Sequence, residues 1–332
     1  MIKGLIILDP HPFELIYGER LKNDIAHRVQ LLSDQPLTKA QIAADPSILS
    51  EVEVVFSGWG APVMDEAFLA AAPKLKAVFY GAGSIRGFAT DAFWARNITV
   101  TSAYAMNAVP VSEFTLAAIL LSLKNAWRYM LGTKRDGAFP DKAPCAGAYG
   151  SKVGLVSLGM IGRLVRERLR PFDVEVLAYD PFVTREQAAA LNVEIVSLEE
   201  IFKQCDVVSL HTPWLKETER MITGAHFRSM KPGAAFINTA RGAVVCEDQL
   251  IDVLGERPDL TAMLDVTYPD EPPQPGSPLF TLPNVILTPH IAGSMDLECR
   301  RMGQLMIEEF DRWAHGDSLK WGLTKEKAAT LA

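Results

Sequence analysis

The chain has 332 residues, 48% of them hydrophobic and 22% charged, with a formal net charge of −7. This is the composition of a globular protein with room for about two domains, and the negative balance argues against a nucleic-acid surface as its main business. The longest apolar run, Phe114–Leu123, is too short to span a bilayer, and the opening MIKGLIILDP meets a charge and two prolines too early for a signal peptide.

Residues 1–100 alternate short β-rich runs with helical ones. Leu5–Leu8, Val29–Leu32, Val52–Phe56 and Ala77–Tyr80 read as strands; the segments around Glu14–Asp24, Lys39–Ala44, Met64–Ala72 and Asp91–Ala95 read as helices. The alternation predicts a small parallel-sheet α/β domain. Two of its strand ends, Phe56–Gly60 and Tyr80–Ser84, are Gly-rich. Such backbone can turn N–H groups toward an anion, or can simply make a tight strand-to-helix turn. Thr101–Asn107 shows no strong periodicity and reads as a crossing. Pro110 then falls in the first turn of a long helix, Val111–Met130, that is apolar nearly all round. Such a helix must be covered on several faces, by its own domain and by a second subunit. Gly132–Gly150, polar and rich in Gly, Pro and Ala, reads as a long irregular arm, functional or interfacial.

Val153–Asp180 reads as strand, glycine turn, helix, strand. Val153, Leu155 and Val156 form a buried run; Gly159, Met160, Ile161 and Gly162 make the turn into a helix; Asp180 ends the next strand. Glycine lets backbone approach a pyrophosphate, the helix start offers N–H groups, and the carboxylate grips a ribose, so this is a dinucleotide-binding pattern. One position departs from it, since Ser157 stands where G-x-G-x-x-G has its first Gly. Four further strands follow. Val207–Leu210 ends in His211, Thr212 and Pro213; Ala234–Ile237 ends in Asn238, Thr239, Ala240, Arg241 and Gly242. Ala262–Leu264 ends in Asp265, and Val285–Leu287 ends in Thr288, Pro289 and His290. Polar residues thus gather at the edge where a doubly wound sheet binds its ligand. Met295–His315 reads as one amphipathic helix. Cys145, Cys205, Cys246 and Cys299 lie far apart with no C-x-x-C pair. Free, buried thiols in a reducing compartment, the cytoplasm, are expected.

Arg241, Glu271 and His290 stand out at or just after strand ends of this sheet. Taken singly, each has a plain structural use: a salt-bridge Arg, a solvated Glu, a structural His. Together beside a dinucleotide turn they suit a proton-coupled reaction on an oxyacid. Arg offers a planar fork for a carboxylate, His exchanges a proton near neutral pH, and a carboxylate beside it raises its pKa and fixes its tautomer. No H-x-x-x-H or close carboxylate cluster calls for a metal.

From Lys76 to Ser294 the chain resembles the D-isomer-specific 2-hydroxyacid dehydrogenase family. The resemblance is carried by VGLVSLGMIGR (153–163), CDVVSLHTPWLKETERMI (205–222), MKPGAAFINTARGAVV (230–245), LDV (264–266) and LPNVILTPHIAGS (282–294). The N-terminal domain matches only in its coarse α/β pattern and in the GAGS loop at 81–84. The resemblance implies two doubly wound parallel-sheet domains. A Rossmann NAD-binding domain, residues 102–292, would be inserted into a discontinuous flavodoxin-like substrate domain, residues 1–101 and 293–332. The active site would be the cleft between them, and the Val111–Met130 helix and Gly132–Gly150 arm would form a homodimer interface.

The resemblance also assigns roles. Arg241 would bind the substrate carboxylate, His290 would act as general acid, and Glu271 would hold His290 protonated. Ala82 and Gly83 would bind the carboxylate through their N–H groups, Asp265 would hold the nicotinamide carboxamide, and Thr212 and Pro213, next to His211, would wall the adenosine. Asp180 would favour NAD over a 2′-phosphorylated cofactor. The departures are Ser157, Ile85 where many members have Asp, and a loop after Asp265 one residue longer than usual. Counted forward from Asp265, that loop makes Asp270 the partner of His290; counted back from Pro272, it makes it Glu271, the preferred reading. The expected activity is oxidoreduction between a small 2-keto acid and its D-2-hydroxy acid. Within the family, phosphite or formate oxidation are the rivals; from another class, an NAD(H)-sensing corepressor. Against the last, no long disordered tail or added C-terminal regulatory domain is expected. Trp59, Tyr80, Tyr104 and Met106 are candidates to read the substrate's side chain.

Overall fold

Among the described residues, 1–142 and 144–331 of a computed structural model, twelve strands pair in parallel to make two sheets. The chain divides into two compact units, residues 1–107 with 294–331, and residues 108–293. These divisions fall after Asn107 and Gly293, some residues later than the expected 101 and 292.

The first unit holds β1 (Lys3–Ile7), β2 (Gln30–Leu31), β3 (Val54–Ser57), β4 (Ala77–Tyr80) and β5 (Thr99–Ser102), in the order β2-β1-β3-β4-β5. That is the flavodoxin-like order. Both faces of the sheet are buried, so its strands read as continuous apolar runs. Successive side chains go to opposite faces: Leu5, Ile7, Val55 and Val78 join one core, and Ile6, Val54, Phe56 and Phe79 the other. On the second face Phe56 stacks on Phe79 at 5.2 Å and meets Phe310 at 5.6 Å. Phe310 comes from helix Cys299–His315, so the chain's return completes this core. The approach is close, because a Cβ on Gly303 would lie 2.1 Å from the Ile16 carbonyl oxygen.

The second unit holds β6 (Ser151–Val156), β7 (Val174–Tyr179), β8 (Glu194–Ile195), β9 (Val207–Leu210), β10 (Ala235–Asn238), β11 (Thr261–Leu264) and β12 (Val285–Leu287). Their order is β12-β11-β10-β9-β6-β7-β8. The run from β8 to β11 is the Rossmann order, with β12 added at the far edge. Cores again cover both faces, one around Phe202, Phe227 and Phe236, the other around Ile119, Val153, Val165 and Ile237. The fold is therefore two doubly wound sheets, the Rossmann unit inserted into the flavodoxin-like one.

Several expectations need correction. Thr101–Asn107 is not a loose crossing: it covers the end of β5 and the start of a helix at Tyr104. β5 was hidden because its Thr and Ser residues break the apolar pattern, although β-branched threonines suit a strand. The long helix runs Tyr104–Leu123, with Pro110 inside it and not in its first turn. By length and composition it could cross a membrane, but it is about half buried in the protein, and Ala118, Ile119 and Leu123 pack into the second unit's core. It stops where Asn125 turns left-handed (φ 50°), a conformation Asn tolerates, and a second helix, Ala126–Asp136, takes up the start of the expected arm. Ala143, within that arm, lies outside the described residues. The helix expected around Glu14–Asp24 is two, Pro10–Ile16 and Gly18–Ala26, broken at Gly18 (φ 54°). The helix expected from Met295 starts at Cys299, after a short 3-10 turn, Asp296–Glu298. Cys145 is exposed, while the other three cysteines are buried.

Candidate active site

In a parallel sheet every strand ends on the same edge, so the residues following β6, β7, β9, β10, β11 and β12 share one rim of the second unit. The rim's centre lies where the strand order reverses, between β6 and β9. There Ser157–Gly159 leads into helix Met160–Arg168, with Met160 and Ile161 in its first turn and no side chain capping its start. A Cβ on Gly162 would fall 2.2 Å from the Ser157 carbonyl oxygen, so helix and strand meet only because this residue is Gly. Gly159 is exposed, and a Cβ there would find nothing nearer than Ser157 Oγ at 4.0 Å. An uncapped helix start beneath open glycine backbone fits a pyrophosphate.

Ser157 holds φ 83°, the left-handed backbone that the fingerprint's first Gly supplies without strain. Its side chain has found a use. Asp180 Oδ2 accepts Leu158 N–H at 2.8 Å and the Ser157 hydroxyl at 3.3 Å, while Oδ1 accepts Phe182 N–H at 2.8 Å. A carboxylate has about four acceptor sites, so Asp180 is oriented by its own turn and retains capacity for a ribose hydroxyl.

Across the reversal, His211 donates its N–H to Val156 O at 2.8 Å, and Thr212 Oγ1 donates to the same oxygen at 3.3 Å. These bonds tie the β9 end to the β6 end. The imidazole of His211 lies under this junction, with Cδ2 3.7 Å from a Cβ built on Gly162. Both of its ring nitrogens are sealed from solvent and unpartnered. Burial pushes its pKa down to about 3, so the ring is neutral and packs as an apolar group. Pro213 O accepts the Thr218 hydroxyl at 2.6 Å. Trp214 meets Tyr268 edge-on at 5.4 Å, an aromatic pair that the sequence reading passed over.

Farther along the rim, Asn238 makes the turn that presents Arg241. Its Oδ1 accepts Ala240 N–H at 3.0 Å and its Nδ2 donates to Arg241 O at 3.1 Å. Thr239 meets Thr115 hydroxyl to hydroxyl at 3.0 Å. The half-buried Arg241 donates from Nη1 to Ala240 O at 2.6 Å. A Cβ on Gly242 would lie 2.3 Å from the Thr267 carbonyl, so the Arg241 turn sits directly on the loop after β11. That loop carries Glu271. Thr267 Oγ1 donates to Asp270 O at 2.6 Å, and Tyr268 N–H donates to Glu247 at 2.9 Å.

Glu271 Oε1 lies 2.5 Å from His290 Nδ1. Between the two residues weighed on the sequence, the contact is made by Glu271, while Asp270 offers its backbone oxygen to Thr267. His290 itself has left-handed backbone (φ 55°). What holds it there is Asp265, 1% exposed. Asp265 Oδ1 accepts the Thr288 hydroxyl at 2.6 Å and Ile291 N–H at 2.8 Å; Oδ2 accepts Ala292 N–H at 2.9 Å. The His290 N–H donates to the Asp265 carbonyl at 3.1 Å. Asp265 thus anchors the histidine's turn, whatever else its remaining lone pair binds. Asn238 and Thr288 stood in strand-end strings without a role of their own; Asn two residues before a backbone N–H is the available sequence signal for such a turn.

In the first unit, Ser102 Oγ donates to Ala82 O at 2.8 Å and also to Gly83 O, and Ala103 N–H donates to Ala82 O at 2.9 Å. The loop is thereby anchored to β5 by its carbonyls. Two of the four side-chain readers are otherwise employed. Tyr80 is buried against Phe88 at 4.8 Å, its pKa pushed up to about 12 by desolvation, and Tyr104 packs edge-on to Trp321 at 5.6 Å. Among the described residues no cluster of His, Cys, Asp and Glu could hold a metal ion.

Residues 116–292 match the family model for the NAD-binding domain of D-isomer specific 2-hydroxyacid dehydrogenases. The chain is 31% identical over 253 residues to a D-3-phosphoglycerate dehydrogenase of Archaeoglobus fulgidus, covering 76% of this chain and 48% of that protein. It therefore spans about half the length of the phosphoglycerate dehydrogenases it matches. It is 34% identical over 253 residues to an (S)-sulfolactate dehydrogenase of Chromohalobacter salexigens, covering 75% of this chain and 81% of that one. A D-lactate dehydrogenase of Aquifex aeolicus, solved with NAD and lactic acid, superposes with a TM-score of 0.71 at 25% identity, covering 95% of this chain and 96% of that one. NAD is the cofactor of the domain that the family match covers.

Two stability predictions follow from the turn. Ser157→Gly relieves a left-handed non-glycine residue and should raise unfolding free energy by about 1 kcal/mol in denaturant titration; a loss of stability would show that the hydroxyl's bond to Asp180 outweighs the strain. His211 binds a proton more weakly folded than unfolded, so its contribution is whole above its ordinary value of 6.5 and declines as pH falls toward about 3. His211→Leu should therefore flatten the fall in stability below pH 6.5 by about 1.4 kcal/mol per pH unit. An unchanged slope would mean that the folded imidazole takes up its proton as readily as the unfolded one.

Proposed function

Since the chain belongs to the D-isomer specific 2-hydroxyacid dehydrogenase family, we propose that it interconverts a small 2-keto acid and its D-2-hydroxy acid with NAD(H). The observation that carries this reading is the 2.5 Å contact of His290 Nδ1 with Glu271, on a turn that Asp265 anchors. With Nδ1 committed to a carboxylate, Nε2 is the nitrogen left to face a substrate oxygen. The carboxylate orients the imidazole, so His290 is a general acid in reduction and a general base in oxidation.

Gly159, Met160, Ile161 and Gly162 hold the pyrophosphate and Asp180 the ribose in this reading. His211, Thr212, Pro213, Thr239 and Ala240 line the same rim, and the remaining lone pair of Asp265 takes the carboxamide. When bound, the cofactor supplies or accepts the hydride at the substrate's 2-carbon. His290 Nε2 delivers the proton to the 2-oxygen in reduction and recovers it in oxidation. Arg241 binds the substrate carboxylate through its planar fork and polarises the neighbouring keto oxygen. The N–H groups of Ala82 and Gly83 are the proposed second hold on that carboxylate. Asp180 discriminates against a 2′-phosphate by charge.

We further propose a homodimer in the cytoplasm. Leu121, Met130, Leu131, Phe139 (92% exposed) and Tyr149 (87% exposed) are five large apolar side chains left in the open within one stretch of chain. Such exposure marks an interaction surface. Four free thiols suit a reducing compartment.

NADH oxidation should be tested against glyoxylate, hydroxypyruvate, pyruvate, phenylpyruvate and branched 2-keto acids, with phosphite and formate as controls in the oxidative direction. His290→Asn should lower kcat by about two to four orders of magnitude with NADH affinity intact. Near-normal turnover in that variant would sink the assignment of the proton to His290. Arg241→Lys should chiefly raise KM for the keto acid, because a point charge cannot reproduce a bidentate fork. Tight NADH binding with no turnover on any substrate would favour a sensor over an enzyme.

A further inference from the structure

At the first turns of helices Gly18–Ala26 and Cys299–His315, within the first unit, lies an open cavity of about 360 Å³. Three guanidinium groups line it, those of Arg20, Arg300 and Arg301, against one carboxylate, Glu308. Met106 and Leu305 supply an apolar wall and Gln304 an amide. None of these residues belongs to the rim of the dinucleotide-binding unit.

The arrangement is costly unless something binds there. Cations in the first turn of a helix face the positive end of its dipole, and like charges gathered in one cavity repel. The chain as a whole is acidic, with a net charge of −7, so these arginines do not belong to a generally basic molecule. Glu308 in the lining and Glu298, which lies 3.6 Å from Arg301, are two carboxylates against three guanidinium groups, so the cavity keeps a net positive charge; Glu19 is engaged by Lys22 at 3.0 Å.

Arg300 is the most constrained of the three. Its guanidinium lies on the backbone of Gly18, where a Cβ would come 2.3 Å from Nη1 and 2.8 Å from Cζ. Gly18 has φ +54° and no side chain, and so leaves the space the guanidinium fills. Arg300 Nη1 is sealed from solvent and has no hydrogen-bond partner. A buried donor left unmade is destabilising, and with Nη1 sealed against Gly18 it is the rest of the guanidinium that lines the cavity.

We propose that this cavity binds a small phosphate monoester. Guanidinium forks match the oxygens of a tetrahedral oxyanion, and the Met106–Leu305 wall accommodates a short organic body. The volume suits a phosphate carrying a few carbons and is at the small end for ligand pockets. The site uses none of the catalytic residues proposed above, and it places Met106 in its own wall instead of the substrate-reading role expected from the sequence.

The test is calorimetric titration of the full chain saturated with NADH, so that the glycine turn is already filled. Glycerol 3-phosphate should bind saturably, inorganic phosphate more weakly, and glycerol not at all. Arg20 and Arg301 are both exposed, so Arg20→Gln with Arg301→Gln should leave folding, NADH affinity and keto-acid turnover unchanged while weakening glycerol 3-phosphate at least about tenfold. Glu308→Gln should tighten it severalfold. Absence of saturable binding below about 10 mM overturns the proposal. So does binding that survives the double variant, which would place the phosphate elsewhere.

Discussion

The placement of His290 depends on a carboxylate that does not touch it by its side chain. Asp265 ends β11 inside the sheet, and its two oxygens take the Thr288 hydroxyl and the N–H groups of Ile291 and Ala292. A left-handed histidine is strained backbone, and such backbone persists only where its surroundings over-determine it. Here three hydrogen bonds to a buried charge do so, each stronger than a neutral one. The imidazole is exposed, while the turn that aims it is held by three hydrogen bonds to the Asp265 side chain. A side chain on an open rim is placed by the strand end beneath it.

Close backbone approach is the second constraint. Arg241 and Glu271 come from different strand ends, and they share a locality because Gly242 lets one turn rest on the Thr267 carbonyl of the other. Gly162 does the same for the phosphate turn beneath Ser157. At both places a methyl group would occupy the position of a carbonyl. The glycines therefore act on chemistry at one remove: they set how near two strand ends lie, and the polar side chains inherit that spacing.

Much of this was legible in the sequence, for physical reasons that also explain the gaps. Strands buried on both faces appear as apolar runs, and β4, β9 and β12 match their expected bounds. β5 breaks the apolar pattern because Thr99, Thr101 and Ser102 carry hydroxyls, and the fold buries the last two. The long helix was shifted because Pro110 reads as a helix start, whereas its real start at Tyr104 carries no comparable signal. Strand-end residues could be named from order alone, since parallel topology sends all of them to one rim. Their partners could not. That Glu271 and not Asp270 meets His290 depends on how the 265–272 loop folds back, and that Asp265 serves the His290 turn depends on register between β11 and β12. Tyr80 looked like a substrate-reading residue beside a glycine loop, yet alternation along β4 sends it into the core against Phe88.

Ser157 shows how the phosphate turn can keep its shape with its first glycine missing. The turn needs left-handed backbone at that position, and Ser adopts it at φ 83°. A bare glycine would relieve the strain and leave Asp180 with two backbone donors, Leu158 and Phe182. The hydroxyl adds a third, weaker one from the residue that bears the strain. In the proposed function, a carboxylate held at the ribose by these donors is what disfavours a 2′-phosphate. The same hydroxyl occupies a lone pair that a ribose hydroxyl could use. At 3.3 Å it is the longest of the three bonds and the readiest to give way, so an incoming donor displaces the serine contact before it disturbs either backbone N–H.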